Sequence, residues 1–355
     1  TIKNEHSFSL IRNFRRHAWL LLYLFGASPA VCDCFVEGRV HHLKNLAKGT
    51  RYLPYATSLR MGPLGYQSDA QSAINVSYNS LSSYARSLYD ALTQPYPPYA
   101  AIGLTNNKQH VQLSDALLQI ENEFYGSIRP KQPIQSGERP LLALNRRGVE
   151  YVEVRCVDLD PYEDIGISRE TIAFLDTFLL FCLTSKSSED SPEENRSDSE
   201  NQYLTAERGR DPALKLTRNN NYVSVKSWGE DIIKACEPLA LKLDTANGTK
   251  IHTQAIESAF SKLSNPEETP SARILNDLDN HNGSYFDFIM NLSSQYTNNL
   301  KTHDLSENRL TELENNAIAS IRRQSEIEAT PQKPFEEFRK EYVSQEASRI
   351  ILEGP

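Results

Sequence analysis

The sequence predicts an α/β protein of the α+β type, in which antiparallel or mixed strands come first and helices dominate the later part. Short segments between positions 101 and 158 alternate apolar and polar residues without a helix after each one, which disfavours a doubly wound parallel sheet. Beyond position 227, apolar residues recur every three or four positions, as in amphipathic helices. With 39% apolar residues among 355, the chain can bury a core.

Two helices are predicted in the first hundred residues. In residues 7–25 apolar side chains recur at helical spacing, and Gly26 ends the pattern. The segment Asn79–Thr93 carries a second apolar face, and Pro95 ends it because proline cannot continue a helix. The apolar stretch Ala18–Phe25 is too short to cross a bilayer, which takes ~20 residues.

The middle of the chain carries the strand predictions. Ala101–Leu104 and His110–Leu113 are expected to pair as a hairpin, with Asn106-Asn107 as the turn. Ala116–Tyr125 and Val149–Asp158 are longer strand candidates with period-two alternation.

The later part is predicted to be mostly helical. Ile172–Leu183 has the apolar density of a buried helix, whereas Ser185–Gln202 is rich in Ser, Glu, Asp and Asn and is expected to form an exposed loop or disordered insertion. Further helices are expected at Trp228–Leu243, Thr253–Leu263, Ser284–Leu300, Ser306–Ile327 and Pro334–Leu352. We therefore divide the chain into a sheet-containing domain (1–183), a variable acidic and Ser-rich insertion (184–227) and a helical region (228–355).

Composition excludes several classes of function. A net charge of −8 argues against nucleic acid as a main partner, because phosphate binding needs a basic surface. Five cysteines are few and odd in number, which suits a reducing cytoplasm better than a disulfide scaffold. The pair Cys32-x-Cys34 has no second pair at zinc spacing, so a structural role is favoured. No phosphate-binding glycine loop, nucleophile elbow or HExxH motif is present.

Glu153 and Arg155 are the most informative charged pair. In a strand over Gly148–Arg155 these two side chains share a face with Tyr151, because alternate residues point the same way. A carboxylate suits Mg²⁺ and a guanidinium suits phosphate, so the pair fits a nucleotide site. A salt bridge on a solvated face explains the same spacing, and the pattern leaves both interpretations open.

Two more segments carry candidate site residues. On a strand, Glu121 and Glu123 would repel one another unless a metal ion, Arg129 or Lys131 lay nearby; a polar outer face is the alternative. The Tyr-rich loop 52–66 contains one arginine of the type that clamps a carboxylate, or it simply packs on the core.

In order and spacing, these segments resemble the proteobacterial glutamate–cysteine ligases. The resemblance rests on Phe25–Cys32, Leu53–Tyr66, Leu118–Lys131 and Gly148–Pro161, with Ser271–Leu275 as a further landmark. It covers most of the chain and weakens over positions 185–225 and at the C-terminus.

The resemblance implies a fold related to glutamine synthetase, with an antiparallel-rich curved sheet, surrounding helices and a mostly helical C-terminal part. It also implies ATP-dependent ligation of L-cysteine to the γ-carboxylate of L-glutamate through γ-glutamyl phosphate, the first step of glutathione biosynthesis, with Mg²⁺ or Mn²⁺ as cofactor. The expected partners are these small molecules, without nucleic acid or membrane, and a monomer is favoured.

The resemblance also assigns roles to particular residues. Glu153 matches a metal ligand, and Arg155 matches a catalytic arginine at the ATP phosphates. The remaining matches are the amino-acid substrate residues Arg60, Tyr66 and Tyr125 and the ATP-side residues Arg129 and Lys131.

The chain departs from the family pattern in ways that leave alternatives open. Gly62-Pro63 replaces a more polar pair, and the family's N-terminal third, which supplies further metal-binding glutamates and a histidine, has no counterpart here. The resemblance therefore implies an incomplete active centre. A related ligase with another acceptor amine, or a non-catalytic remnant that only folds or binds a partner, are the alternatives.

Overall fold

A long central helix, α1 (Ile2–Phe25), organises the fold. The computed structural model describes residues 2–65, 70 and 74–344. From Ala18 onwards every residue of α1 is buried, so the helix is apolar on all sides and must be surrounded by other elements. Gly26 follows directly, and its backbone N–H donates to the carbonyl of Leu22. A Cβ at Gly26 would lie 2.7 Å from the carbonyl oxygen of Thr57, so glycine permits a close crossing of two chain segments.

The remaining helices follow the chain in three groups. Those before position 150 are α2 (Asp33–Val36), α3 (Leu81–Thr93), α4 (Pro97–Ile102) and α5 (Pro140–Arg147). The middle group comprises α6 (Arg169–Thr184), α7 (Pro192–Arg208), α8 (Val225–Asn247) and α9 (Ile251–Ser264). The last group comprises α10 (Pro270–Leu278), α11 (Tyr285–Lys301), α12 (Glu307–Ala329) and α13 (Phe335–Val343).

The strands of the described residues form small antiparallel sheets. A three-stranded sheet has the order β1 (Ala30–Cys32), β3 (Thr50–Tyr52), β2 (Lys44–Ala47). The two-stranded sheets are β4 (Thr105–Asn106) with β5 (Gln109–His110), β6 (Ile128–Lys131) with β7 (Tyr151–Val154), and β8 (Lys215–Arg218) with β9 (Asn221–Ser224).

Aromatic side chains of α1 hold the main core together. The ring of Trp19 lies 4.9 Å from that of Trp228 on α8. The ring of Phe14 lies 5.7 Å from that of Phe178 on α6, and the two rings meet edge to face. Such pairs contribute about 0.5–1.5 kcal/mol beyond the area they bury. Helices from both halves of the sequence therefore share one core around α1.

Most helix predictions are confirmed, with boundaries that differ by a few residues. The predicted hairpin also forms, but its strands are β4 and β5, and Asn107 and Lys108 occupy the turn with φ of 48° and 64°. Ala101 lies in the last turn of helix α4 and does not start a strand. The last predicted helix begins with α13, and its predicted residues from 345 onwards lie outside the described part of the chain.

The predicted strand Ala116–Tyr125 is wrong, because the segment turns back on itself around a 3₁₀ helix at Glu121–Glu123. The carboxylate of Glu123 accepts a 2.7 Å hydrogen bond from the backbone N–H of Gln119 and so closes this turn. A side chain that bonds to nearby backbone competes with strand pairing.

The predicted loop or disordered insertion at Ser185–Gln202 is also wrong, because residues 192–208 form α7, which packs on α1. Its N-terminus follows the usual rules: the Ser191 side chain accepts from the Glu194 N–H, and Pro192 occupies the first turn. The proposed division into residues 1–183, 184–227 and 228–355 stays a prediction. Within the described residues, no helix combines the length and the apolarity that a membrane span requires.

Candidate functional site

The β6–β7 pair presents one charged face and one apolar face. Arg129 pairs directly with Glu153, and Lys131 pairs with Tyr151. Directly paired residues share a face, so these side chains lie together on one side of the sheet, as the alternation of β7 predicts. Val152 and Val154 pack on the main core on the other side.

Arg129 is a buried cation on this face. Its side chain is 6% exposed, and its Nη2 donates to the carbonyl of Asn122 over 3.3 Å. Burial, and next the neighbouring Arg155, lower the pKa of Arg129. Its Nε has no hydrogen-bond partner within the part of the chain that the structure describes. Two guanidinium groups that repel one another are stabilised when an anion lies between or beside them.

Glu153 and Lys131 form an ion pair next to Arg129. Lys131 Nζ lies 3.2 Å from Glu153 Oε2, and both side chains remain partly exposed. That oxygen is buried, and the ion pair lacks the geometry of a hydrogen bond. Glu153 therefore retains an oxygen that a cation could engage, although Lys131 already neutralises much of its charge.

Arg155 lies just beyond β7, beside Tyr125. Its guanidinium carbon is 5.6 Å from the centre of the Tyr125 ring, and its backbone N–H donates to the carbonyl of Ser127 over 2.9 Å. A cation–π contact of this kind orients a guanidinium without occupying all of its donors.

Arg60 is fixed by a buried carboxylate. Its Nε donates to Asp158 Oδ1 over 2.6 Å, and its Nη2 donates to the carbonyl of Val157 over 2.9 Å. The other oxygen of Asp158 accepts from Ser28 Oγ and from the Ala27 N–H. Three distant segments therefore meet at Asp158, which ties the tyrosine-rich loop to the end of β7.

A cleft of about 770 Å³ brings three predicted site residues together. Arg60, Tyr125 and Arg155 all line it. The opposite wall comes from α1 and α7, which contribute Arg15 and Arg196. Arg60 and Arg196 already pair with Asp158 and Glu193, and Glu200 also lines the cleft. Four arginines against one lining glutamate still favour an anionic ligand.

The other predicted residues lie elsewhere or cannot be placed. Arg129, Lys131 and Glu153 share the charged face of the sheet but are not in the lining of the cleft. Tyr66 lies outside the described residues. Glu121, to which the sequence assigns no firm role, pairs with Arg139 over 3.0 Å with both side chains buried, so its carboxylate already has a cation.

Sequence reasoning missed the helical wall of the cleft. Ser199 and Tyr203 of α7 line it, in a region interpreted as an exposed insertion. The signal that would have found the helix is the Ser191-Pro192-Glu193 start, which places a cap, a proline and an acid in their preferred positions.

The described residues do not build a complete metal centre. They contain no cluster of three or more His, Cys, Asp or Glu side chains suited to holding a metal ion. Glu153 offers one hard carboxylate outside any such cluster, whereas Mg²⁺ takes six oxygen ligands in octahedral geometry. The thiol of Cys156 next to Arg155 is buried, which raises its pKa to about 12 and makes it a poor nucleophile.

Comparison with known proteins decides the family. A family model described as glutamate-cysteine ligase matches residues 1–205. The chain belongs to this family. It is 45% identical over 346 residues to a glutamate–cysteine ligase from Saccharophagus degradans, covering 97% of this chain and 65% of that protein. It is 44% identical over 340 residues to one from Janthinobacterium sp., covering 96% of this chain and 64% of that protein.

Solved structures support the fold of this glutamate–cysteine ligase family member. The crystal structure of a glutamate–cysteine ligase from Francisella tularensis in complex with AMP has a TM-score of 0.90 at 33% identity, covering 97% of this chain and 68% of that one. A bifunctional glutathione synthetase from Pasteurella multocida has a TM-score of 0.55 at 22% identity, which indicates shared fold alone. The predicted family and the mixed, glutamine-synthetase-like fold class are confirmed. The chain spans 65% of the length of the first of these curated relatives, so it matches only part of that protein.

Proposed function

We propose that this protein takes part in the ATP-dependent ligation of L-cysteine to the γ-carboxylate of L-glutamate. A γ-carboxylate oxygen attacks the γ-phosphorus of ATP, and ADP leaves. The cysteine amine then attacks the acyl carbon of γ-glutamyl phosphate, and inorganic phosphate leaves as the amide forms. Family membership supports this reaction, and the observation that carries it is the cleft that unites Arg60, Tyr125 and Arg155.

Arg155 and Arg129 form the proposed phosphate side of the site. Phosphoryl transfer spreads negative charge over the equatorial oxygens, and enzymes stabilise this charge mainly with positioned cationic groups. Arg155 is oriented by the Tyr125 ring and lines the cleft. Arg129 stands behind it as a buried cation whose pKa burial lowers. Lys131 adds a third positive charge on the same sheet face.

Arg60 and Tyr125 form the proposed amino-acid side of the site, and Tyr66 is proposed to join them. Arg60 is held by Asp158, so its planar donors are already oriented before a substrate carboxylate arrives. Pre-orientation lowers the entropic cost of binding. The hydroxyl and ring of Tyr125 offer a polar and an apolar contact in the same cleft.

Mg²⁺ or Mn²⁺ is the proposed cofactor, and Glu153 is its proposed ligand. When bound, the ion would neutralise polyphosphate charge. The described residues fit this role only in part, because Glu153 stands without further clustered ligands and is paired with Lys131. We therefore assign no reaction step to the metal. All five cysteines are unpaired, which supports a reducing, cytoplasmic location.

The same incompleteness supports a second possibility, that the 355-residue chain binds substrates but turns them over poorly. Several Mg²⁺ ligands are needed, and the described residues offer Glu153 outside any cluster. We expect little γ-glutamylcysteine from the purified chain when it is incubated with ATP, Mg²⁺, glutamate and cysteine and the product is measured by mass spectrometry. Robust product formation would contradict this expectation. A panel of acceptor amines in the same assay tests the alternative of another acceptor.

The roles of Arg155 and Glu153 are best tested in a longer protein that contains this chain and has the full length of its curated relatives. Arg155→Ala is expected to lower kcat by about 10²–10³-fold, as for loss of one oriented transition-state donor, and to weaken ATP binding. Glu153→Gln is expected to lose most turnover and to need more Mg²⁺. Arg309→Ala on the exposed surface of α12 is the matched control and should retain full activity. Unchanged rates in both site variants would refute the assignment of the sheet face.

A further inference from the structure

Residues 121–127 form one short segment that contacts both arginines of the proposed phosphate side. The carbonyl of Asn122 accepts the bond from Arg129 Nη2 over 3.3 Å, and the centre of the Phe124 ring lies 5.9 Å from the Arg129 guanidinium carbon. A carbonyl oxygen and a ring face are both partners that suit a buried guanidinium. The conformation of this segment therefore helps to decide where the charge of Arg129 lies.

The same segment continues to Arg155. The centre of the Tyr125 ring lies 5.6 Å from the Arg155 guanidinium carbon, and the carbonyl of Ser127 accepts from the Arg155 backbone N–H over 2.9 Å. The ring orients the end of the side chain, while the backbone bond fixes its root. Tyr125, Ser127 and Arg155 all line the cleft, so a displacement of the segment would also move this wall of the cleft.

Glu121 anchors the beginning of the segment. It opens the 3₁₀ helix Glu121–Glu123, and its backbone carbonyl accepts from the Phe124 N–H over 3.2 Å. Its carboxylate accepts from Arg139 Nε over 3.0 Å, and the two side chains are only 4% and 6% exposed. A buried pair of this kind resists displacement, because separating the partners leaves uncompensated charge in the interior.

Arg139 connects this anchor to two helices. It directly precedes α5, and its Nη1 donates to the carbonyl of Tyr342 on α13 over 3.3 Å. The guanidinium carbon also lies 5.5 Å from the centre of the Tyr342 ring. Through one buried side chain, Glu121 thus ties the segment to α5 and α13.

We propose that Glu121 is a positioning residue for Arg155 and, through the carbonyl of Asn122, for Arg129. Its carboxylate binds Arg139 and is not part of the cleft lining, so it acts on a bound nucleotide through the segment that follows it. A segment that is fixed before ATP arrives does not have to be ordered on binding, which favours affinity. This inference rests on the proposed function, because it takes Arg155 as a phosphate-binding group.

ATP binding to the purified chain, measured by calorimetry with Mg²⁺ present, tests this role. Glu121→Gln keeps the size of the side chain and removes the charge that pairs with Arg139, and we expect ATP to bind about tenfold more weakly. Glu121→Asp keeps the charge, so Arg139 is not left unpaired, but the shorter side chain draws the turn out of place. ATP should bind to this variant about threefold more weakly.

Asp244→Asn is the matched control for a loss of stability alone. The Asp244 side chain is 5% exposed and lies 2.8 Å from Nδ1 of His252, where α8 meets α9, and neither residue lines the cleft. The variant should lower the urea midpoint of unfolding, yet it should leave the ATP dissociation constant within about twofold of wild type.

Arg155→Ala provides a second background that separates positioning from stability. If Glu121 acts by placing Arg155, adding Glu121→Gln to this variant should weaken ATP binding by about threefold or less, with the remainder acting through Arg129. A purely structural role would give the same loss with and without the Arg155 side chain.

Four results would overturn the proposal: no ATP binding by wild type, wild-type affinity in both Glu121 variants, an equal loss in Asp244→Asn and Glu121→Gln, or an equal Glu121→Gln loss in both backgrounds. A failure of the proposed ligation would look different. ATP would bind with the expected ratios, but the longer protein would form no γ-glutamylcysteine.

Discussion

The carboxylate of Asp158 provides the sharpest test of how this structure is held together. It joins Arg60 Nε at 2.6 Å, Ser28 Oγ at 2.7 Å and the Ala27 N–H at 2.9 Å, and its side chain is 3% exposed. Asp158→Ala would leave these three donors without their acceptor in a region that water reaches poorly. Breaking a buried charge pair on one side costs about 3–5 kcal/mol, and we expect a loss of unfolding free energy in that range.

The chain contains a closely matched control pair. Arg51 Nε lies 2.6 Å from Asp33 Oδ1, the same atoms at the same distance, and the arginine is exposed to a similar degree. The difference lies in the acid, since Asp33 is 41% exposed. An exposed pair contributes about 0–1 kcal/mol, so Asp33→Ala should cost no more than that.

Urea unfolding followed by tryptophan fluorescence measures both variants against wild type. Where the slope of unfolding free energy against urea concentration is the same in variant and wild type, the shift in the urea midpoint reports the change in stability. Equal losses for Asp158→Ala and Asp33→Ala would refute the argument that burial decides the strength of these pairs. A loss below about 1 kcal/mol for Asp158→Ala would refute the central place given to this carboxylate.

The spacing of apolar residues along the sequence was sufficient to predict most of the helices and which face of β7 packs on the core. The alternation in Tyr151–Val154 correctly separates Glu153 from the core-facing valines, because only one face of the strand can be apolar. Contacts between distant segments could not be predicted from the sequence. Arg60 and Asp158 are 98 positions apart, and nothing local indicates that they meet. The composition of the cleft therefore required the structure.

Helix α7 shows why the insertion was misjudged. Its buried residues recur at helical spacing, but all except Ala206 are polar, and a search for apolar periodicity ignores Asn195, Asp198, Asn201 and Thr205. Three of these polar side chains are held by hydrogen bonds: Arg15 donates to Asn195, Asn201 bonds to the backbone of Thr217, and the Thr205 hydroxyl donates to the carbonyl of Asn201. A polar composition predicts disorder only where no partners exist to satisfy the buried groups.

Two predictions follow from this polar helix. The raised pKa of Asp198, about 7, means that the folded state holds a proton that the unfolded chain releases near pH 4. Unfolding free energy should therefore fall as pH rises from about 4 to 7, by up to about 4 kcal/mol, and Asp198→Asn should remove this fall in a urea series across pH. Asn201 bonds both backbone groups of Thr217 at 2.8 Å and is fully buried. Asn201→Ala should cost about 2–4 kcal/mol, since it leaves a donor and an acceptor unpaired. Ser199→Ala, which removes only a bond to its own helix, is the control and should cost less than about 1 kcal/mol. If Asn201→Ala and Ser199→Ala were equally stable, the buried hydrogen bonds of Asn201 would not be what stabilises the packing of α7.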